Sequence, residues 1–540
     1  PDTGGQAVPQ TTLAARPPWS DADVGKVLNA ADTTPGLTSA YFAPSPQGNG
    51  LPSSGFTSRA QSGLGLGESD LGVTTPENVT VASTDEAVFQ AVDGAIFVDV
   101  TQPQSNTYKI ADNVFFKPVL RSGDTLGQPR ALFDSTLQRW VFVVNEISGG
   151  ANGVSQGYLD VAISQGADPS AGWSLFRFST DMTGVQGFSG CSWGDYPQLG
   201  GDYTSYYITT NEFTCGASPT FRGATLWDLP KISFTRGSAS TLYRFTGFVD
   251  ADNKPIFTVT PAQGSYDHTT QWLVGDDAGS VINGHTSQRL YVWAVSDSAA
   301  NLAAKPVLKG VGLTMHYTYA TPPAAPQGGN ASRKLNTGDA RIAQVIYANG
   351  HLYGVFTTAA NWFHDTAIRV GVYWFEANVS VTTPTATATA TPNGAKTPTS
   401  APNGQNSSGS TVSVTLTQEG VYGYRGGYVF YPSLTVTPAG DILLFAQASD
   451  QNTVPGLILT GHLASERADV MGQGLRAVYL ANAGNAAYTG QYWGDYTTAV
   501  SLATSTQGTG AATAWLAGAY VDQYPNLQWR TTLAQISITH

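Results

Sequence analysis

The chain has 540 residues, 60 of them Gly and 30 Pro, with 11% aromatic and only 12% charged side chains. That balance excludes a wholly disordered chain, which would be poor in aromatics, and argues against a helical one, because β-branched and aromatic residues outweigh the good helix formers. The formal charge of −12, without any Lys/Arg cluster, argues against nucleic acid as a partner, and no apolar run approaches the roughly 18 residues of a membrane-spanning helix.

Residues 1–70 are rich in Pro, Gly, Ser and Thr without an apolar period, and read as an extended arm. The chain begins Pro1-Asp-Thr-Gly-Gly, which suggests a mature chain whose leader has been removed. From residue 71 onward a β-type unit recurs. It appears as Gly127-Gln-Pro-Arg-Ala-Leu-Phe-Asp followed by Arg139-Trp-Val-Phe-Val-Val-Asn-Glu, then as Gly194-Asp-Tyr-Pro-Gln-Leu-Gly followed by Ser205-Tyr-Tyr-Ile-Thr-Thr-Asn-Glu. Further copies start at Gly338-Asp-Ala-Arg, Phe430-Tyr-Pro-Ser and Gly494-Asp-Tyr-Thr. Each is a short strand, a turn and an aromatic-rich strand, and Asn349-Gly350 marks a type I′ hairpin.

Spacing orders these copies. Pro129 to Pro197 is 68 residues and Pro432 to Tyr496 is 64. Pro197 to Ala340 is 143, so a copy is expected near Tyr266-Asp267-His268, and one period upstream of Pro129 lies Asn78-Val-Thr-Val-Ala. Ala340 to Pro432 is 92, which falls to 63 once the 29-residue Thr/Pro/Ala/Ser-rich tract 382–410 is set aside. Such composition cannot fold alone and resembles an O-glycosylated stalk. The expected fold is all-β, a single β-propeller over residues 71–540, seven-bladed with six as the alternative, interrupted by that tract. A string of β-sandwiches would repeat at about 100 residues.

The runs at 127–134, 164–173, 194–200 and 206–213 resemble a group of secreted bacterial β-propeller proteins that are distantly sialidase-like. The resemblance implies fold and export without a settled activity. Where such proteins show Gly-Asp-Pro, this chain has Gly127-Gln128-Pro129.

Aligned repeats bring Gln128, Asp195, Asp267, Asp339 and Asp495 to one mouth of the propeller axis, where carboxylates suit a hard cation such as Ca²⁺; alternatively each Asp caps its own turn. Arg130 and Arg341 occupy equivalent positions, and Glu146 and Glu212 follow the second strands, so these four are the candidates for glycan cleavage or, for the arginines, structural ion pairs. Gly153-Val-Ser155-Gln-Gly157 matches a nucleophile-elbow pattern but lacks a following helix. Cys191 and Cys215 are expected to form a disulfide, with two free thiols as the alternative. Asn78, Asn330, Asn378 and Asn406 head N-glycosylation sequons, and Thr385, Thr387 and Thr389 suit O-glycosylation.

These features predict a secreted, extracellular, glycosylated protein with a structural role at the cell surface, its subunits joined into filaments by the N-terminal arm adding a strand to a neighbour. The same arm would serve equally to pack on its own propeller. The alternatives are a carbohydrate- or protein-binding propeller and a sialidase-like glycan-cleaving enzyme. No cofactor is expected beyond Ca²⁺.

Overall fold

The computed structural model describes residues 78–100, 106–150, 153–232, 241–277, 286–296, 306–328, 332–382, 411–481, 487–501, 512–521 and 529–538, apart from 186, 187, 265, 363, 364, 366, 473, 474, 476 and 490–492. It also describes four N-terminal strands, β1 (Thr3–Gly4), β2 (Gln6–Pro9), β3 (Thr12–Arg16) and β4 (Phe56–Ala60).

The strands form one all-β propeller of six hydrogen-bonded sheets. Five are separate blades of four or five strands, spanning residues 80–111, 125–179, 192–245, 259–319 and 498–538. The remaining sheet is continuous over nine strands, because the meander 342–422 joins the meander 428–481 through a parallel bridge between Val370 and Tyr428. The expected count of seven blades, or six, is therefore corrected to five separate blades. A sequence period counts meanders, whereas backbone pairing merges two of them into one sheet.

The ring closes through the Thr498 hydroxyl, which donates to the Val79 carbonyl at 2.8 Å, and through apolar packing of Val79, Val81 and Phe97 with Trp515, Trp529 and Leu533. Buried aromatics fill the spaces between sheets throughout. Phe89 packs with Trp140, Phe142 and Trp173 between the first two blades, and Phe178 meets Trp227 between the second and third. The aromatic surplus of the sequence thus goes mainly to inter-blade packing.

The N-terminal arm packs on the chain's own propeller, the alternative to strand addition to a neighbour. β3 pairs with Trp173–Ser179, β2 with Thr241–Phe245 and β1 with Val307–Tyr319, each antiparallel and each on the outer edge of the chain's own blade. β4 pairs with Arg530–Ile538 and completes the last blade. Outer strands carry unpaired N–H and C=O groups, and the arm satisfies them within the molecule.

The fourth blade corrects the repeat alignment. Its innermost strand is Val259–Pro261, and the segment expected to hold it forms the second strand, Thr270–Asp276. Asn349 and Gly350 adopt φ values of 53° and 85°, and Ala348 pairs with His351, as a type I′ hairpin requires.

Candidate functional site

The innermost strands begin at one mouth of the axis, and their first residues are bent in a shared way. Asn78, Gln128, Tyr196, Thr258 and Tyr431 have φ between 48° and 64°, a left-handed conformation that non-glycine residues rarely adopt, and Gly338, one residue earlier in its own copy, has φ 73°. Strand register shifts beside several of them, at Asp195/Gln198, Ile342/Gln344 and Phe430/Ser433.

The strained backbone N–H groups are held by side chains of the preceding meander. Gln128 N–H donates to Asp93 Oδ1 at 2.6 Å, Tyr196 N–H to Gln128 Oε1 at 2.6 Å, Thr258 N–H to Asn211 Oδ1 at 2.8 Å and Tyr431 N–H to Thr357 Oγ1 at 3.1 Å. These contacts link neighbouring blades around the axis and satisfy groups that would otherwise be buried and unpaired.

Onto this ring the sequence places a polar cluster. Arg341 grips Asp339 through Nε and Nη2 at 2.7 and 2.6 Å, and its guanidinium lies 4.3 Å from the Tyr196 ring centre and 4.7 Å from that of Phe257. The pair is reachable, with side chains 24% and 19% exposed. Arg130 stacks 3.5 Å over the Tyr496 ring and donates from Nε to the Pro197 carbonyl, while Tyr196 and Tyr496 lie 5.0 Å apart. Burial pushes the Asp195 carboxyl above its ordinary range, opposed by a hydrogen bond from Gln128 and by the charge of Arg341. Asp495 acts electrostatically on Tyr196, Arg341 and Tyr496, so it belongs to the same cluster.

Of the residues expected at this mouth, Gln128, Asp195, Asp339 and Asp495 gather there with Arg130 and Arg341. Asp267 does not. It lines a wide cavity of about 600 Å³ at the opposite end of the inner strands, with Asp85, Thr136, Tyr347 and Asn349. Its displacement follows from the shifted strand in the fourth blade. Gln128, which stands where an acidic residue was expected, accepts from Asn145 Nδ2 at 3.1 Å as well as from Tyr196.

The mouth also contains Asp276, which in sequence belongs to Asp276-Asp277-Ala-Gly279, a run that lacks the 12-residue pattern of a calcium loop. Asp276, at the end of a second strand, is fully buried near Asp339 and Arg341, and neither of its carboxyl oxygens has a hydrogen-bond partner. Burial first, then the charge of Asp339, pushes its pKa well up. The signal for this position was the paired Asn145-Glu146 and Asn211-Glu212 at second-strand ends, where attention fell on the glutamates.

The glutamates themselves lie away from the axis cluster. Glu146 is buried and clamped by Arg177 at 2.6 and 2.7 Å, with Asp124 and Asp160 within 4 Å of the same guanidinium. Glu212 is fully buried, accepts from the Thr210 hydroxyl at 2.6 Å, and is pushed up by burial to about 8. Among the described residues, no group of three or more His, Cys, Asp or Glu side chains is arranged to hold a metal ion.

Cys191 and Cys215 form a disulfide at the mouth end of the hairpin that carries Asp195 and Tyr196. Ser155 lies within the strand Gly153–Ser164, where Gly153 has φ 84° and a Cβ there would meet the Gly216 carbonyl oxygen at 2.2 Å. The Gly-x-Ser-x-Gly match is thus a close strand crossing. Asn78 is buried and donates to Asp93 Oδ2 at 2.7 Å, whereas Asn378 is exposed. Asn330, Asn406, Thr385, Thr387 and Thr389 lie outside the described residues. No helix among the described residues is long and apolar enough to cross a membrane.

No family model and no curated protein sequence matches the chain. Solved structures are matched at low similarity. A GH43 endo-arabinanase from Bacillus licheniformis is 11% identical with a TM-score of 0.25, covering 56% of this chain and 94% of its own. A protein of unknown function from Dyadobacter fermentans is 10% identical with a TM-score of 0.34, covering 77% and 96%. The parainfluenza virus 5 hemagglutinin-neuraminidase is 9% identical with a TM-score of 0.33, covering 77% and 91%.

Proposed function

We propose that this chain is an extracellular carbohydrate-binding propeller that holds a neutral sugar at the strand-start mouth of its axis. The observation that carries the reading is the reachable Asp339–Arg341 pair set against the faces of Tyr196 and Phe257. A carboxylate beside a guanidinium offers acceptors and donors together, which suits neighbouring hydroxyls, and the aromatic rings under the guanidinium fix its plane. The opposed charges of the pair favour a neutral ligand. The disulfide supports an oxidising compartment.

Glycan-array screening followed by calorimetry tests this. Arg341→Lys, which keeps the charge but loses the two-pronged grip, is expected to weaken sugar binding at least about tenfold. Phe257→Ala provides a second variant without a charge change. Unaltered affinity in both variants sinks the reading.

One observation favours a second reading, glycan cleavage. Asp195, pushed up by burial, shares the mouth with the Arg341-held Asp339, and a raised carboxyl near a second carboxyl group suits the acid role in glycan cleavage. Turnover of aryl glycosides that disappears in Asp195→Asn would support it. Absence of turnover on a broad substrate panel would remove it.

A further inference from the structure

Just inside the mouth, the axis encloses a cavity of about 30 Å³ lined by residues of several blades, including Thr80, Arg130, Gln198, Gln344, Tyr496 and Thr497. Most of the polar groups there are already committed to one another. Thr497 Oγ1 donates to the Tyr431 carbonyl at 2.7 Å, and Thr260 Oγ1 to the Ile342 carbonyl at 2.9 Å. Gln344 accepts from Leu434 N–H at 3.0 Å and donates to the Ala499 carbonyl at 3.3 Å. Three lining residues keep an unsatisfied group: Arg130 at Nη2, Gln198 at Nε2 and Tyr496 at its hydroxyl. These residues are only 6%, 4% and 4% exposed.

The unmet groups share a sign. A guanidinium N–H, an amide N–H and a phenol can all donate, and Thr80, whose oxygen accepts from Ala131 N–H at 3.1 Å, has a hydroxyl hydrogen left to give. No carboxylate lines the cavity. Arg130 forms no ion pair among the described residues: its direct contacts are the Pro197 carbonyl and the Tyr196 and Tyr496 rings, and the carboxylates of Asp339 and Asp495 reach those rings without pairing with it. Burying a cation without a counter-charge is strongly unfavourable. The volume matches one water or one small ion. A water would fill the space and leave the charge unbalanced; a monovalent anion does both.

We infer that this axial cavity is a binding site for a chloride-sized monovalent anion, held by Arg130, Gln198 and Tyr496 at the junction of the blades. The ion would tie together inner strands from three separate blades and so act as a structural pin beneath the sugar-binding mouth.

The test uses the full chain with halide alone. Crystals soaked in bromide should show an anomalous peak on the axis beside Arg130 Nη2. In solution, chloride should raise Tm by about 2 °C over gluconate at equal ionic strength, taking a concentration near a hundred times Kd and the usual unfolding entropy per residue. Arg130→Met should abolish both signals. If that variant does not fold, Gln198→Leu should shift the chloride titration to higher concentration. The inference is overturned by a wild-type axis without an anomalous peak, by equal Tm in chloride and gluconate, or by a full chloride response in Arg130→Met or, where that variant is unfolded, an unmoved titration in Gln198→Leu. Sugar affinity is a separate readout, so failure here leaves the mouth assignment to its own test.

Discussion

The two ends of the axis are built from the same inner strands and differ in almost everything else. At the strand-start end, backbone in the left-handed region converges with Arg130, Arg341, Asp195, Asp339 and Asp495, and neighbouring blades hold one another's N–H groups. At the far end the strands turn back through hairpins whose N–H groups are met within the turn, while Asp134 also takes the Tyr206 hydroxyl and the Lys231 ammonium of the next blade. Asp134 accepts from the Thr136 and Leu137 N–H groups of its own turn, and the cavity there is wide. Left-handed strain collects at the mouth, where backbone N–H groups are met across blades, and relaxed turns collect at the far end, where they are met locally.

The largest test of this contrast is electrostatic. Glu212 belongs to the mouth half, opposite Gly194, and burial pushes it up to about 8. A raised carboxyl favours the fold below its unfolded pKa near 4.5, and that contribution is lost as pH rises through about 8. Asp134, at the far end, is the reverse: burial works to raise it, but the Lys231 ammonium at 2.6 Å outweighs this and holds it below its ordinary range. Its contribution is present above the unfolded pKa and lost as pH falls. Glu212→Gln should therefore stabilise the protein at pH 9 by roughly 3–5 kcal/mol and leave it unchanged at pH 4. Urea denaturation at both pH values checks this; equal effects at both would show that Glu212 is not held neutral by the fold.

Next comes the disulfide, which staples only the mouth end of its hairpin. With Cys191 and Cys215 separated by 24 residues, replacing both by Ser should lower stability by about 3 kcal/mol in the chain-entropy model. It should also weaken sugar binding through Asp195 and Tyr196. Equal stability for the oxidised protein and the double variant would remove the staple from the contrast.

A smaller effect isolates one inter-blade hold. Asn211→Leu leaves the Thr258 N–H and hydroxyl without their partners, which should cost about 1–3 kcal/mol. Thr136→Ala removes one part-buried bond from an exposed residue of the far-end turn and should cost about 0.5 kcal/mol. Comparable losses in thermal melts of the two variants would erase the distinction between shared and local satisfaction.

How much of this was legible in the sequence follows from distance along the chain. The meanders, the aromatic packing and the positions of Asp195, Asp339, Asp495, Arg130 and Arg341 repeat at a fixed period, so alignment of copies found them. The inter-blade holds did not show, because Asp93, Asn211 and Thr357 are different residue types acting on partners 35, 47 and 74 residues away. The arm was visible as an extended segment, but its partners were not, since strand addition is specified by backbone edges rather than by side-chain pattern. Asp267 was misplaced because the fourth blade starts at Thr258-Val-Thr-Pro, without the Gly-Asp pair that marks the copies at 194, 338 and 494.

That misplacement supplies the smallest expected effect and the most direct attack on the contrast. Asp267 is exposed and lines the wide far-end cavity with Asp85 and Glu86, where solvent screens its charge. Asp267→Asn should change stability by less than about 0.5 kcal/mol and leave sugar affinity within about twofold. Size alone would nominate that cavity, at about 600 Å³, as the place where a ligand sits. Chemistry nominates the narrower end, because there a carboxylate and a guanidinium are paired against aromatic rings on a backbone fixed by its neighbours. A tenfold loss of affinity in Asp267→Asn, with Arg341→Lys unaffected, would mean that the sugar enters from the far end. The strained mouth would then be a device for holding blades together, with no part in recognition.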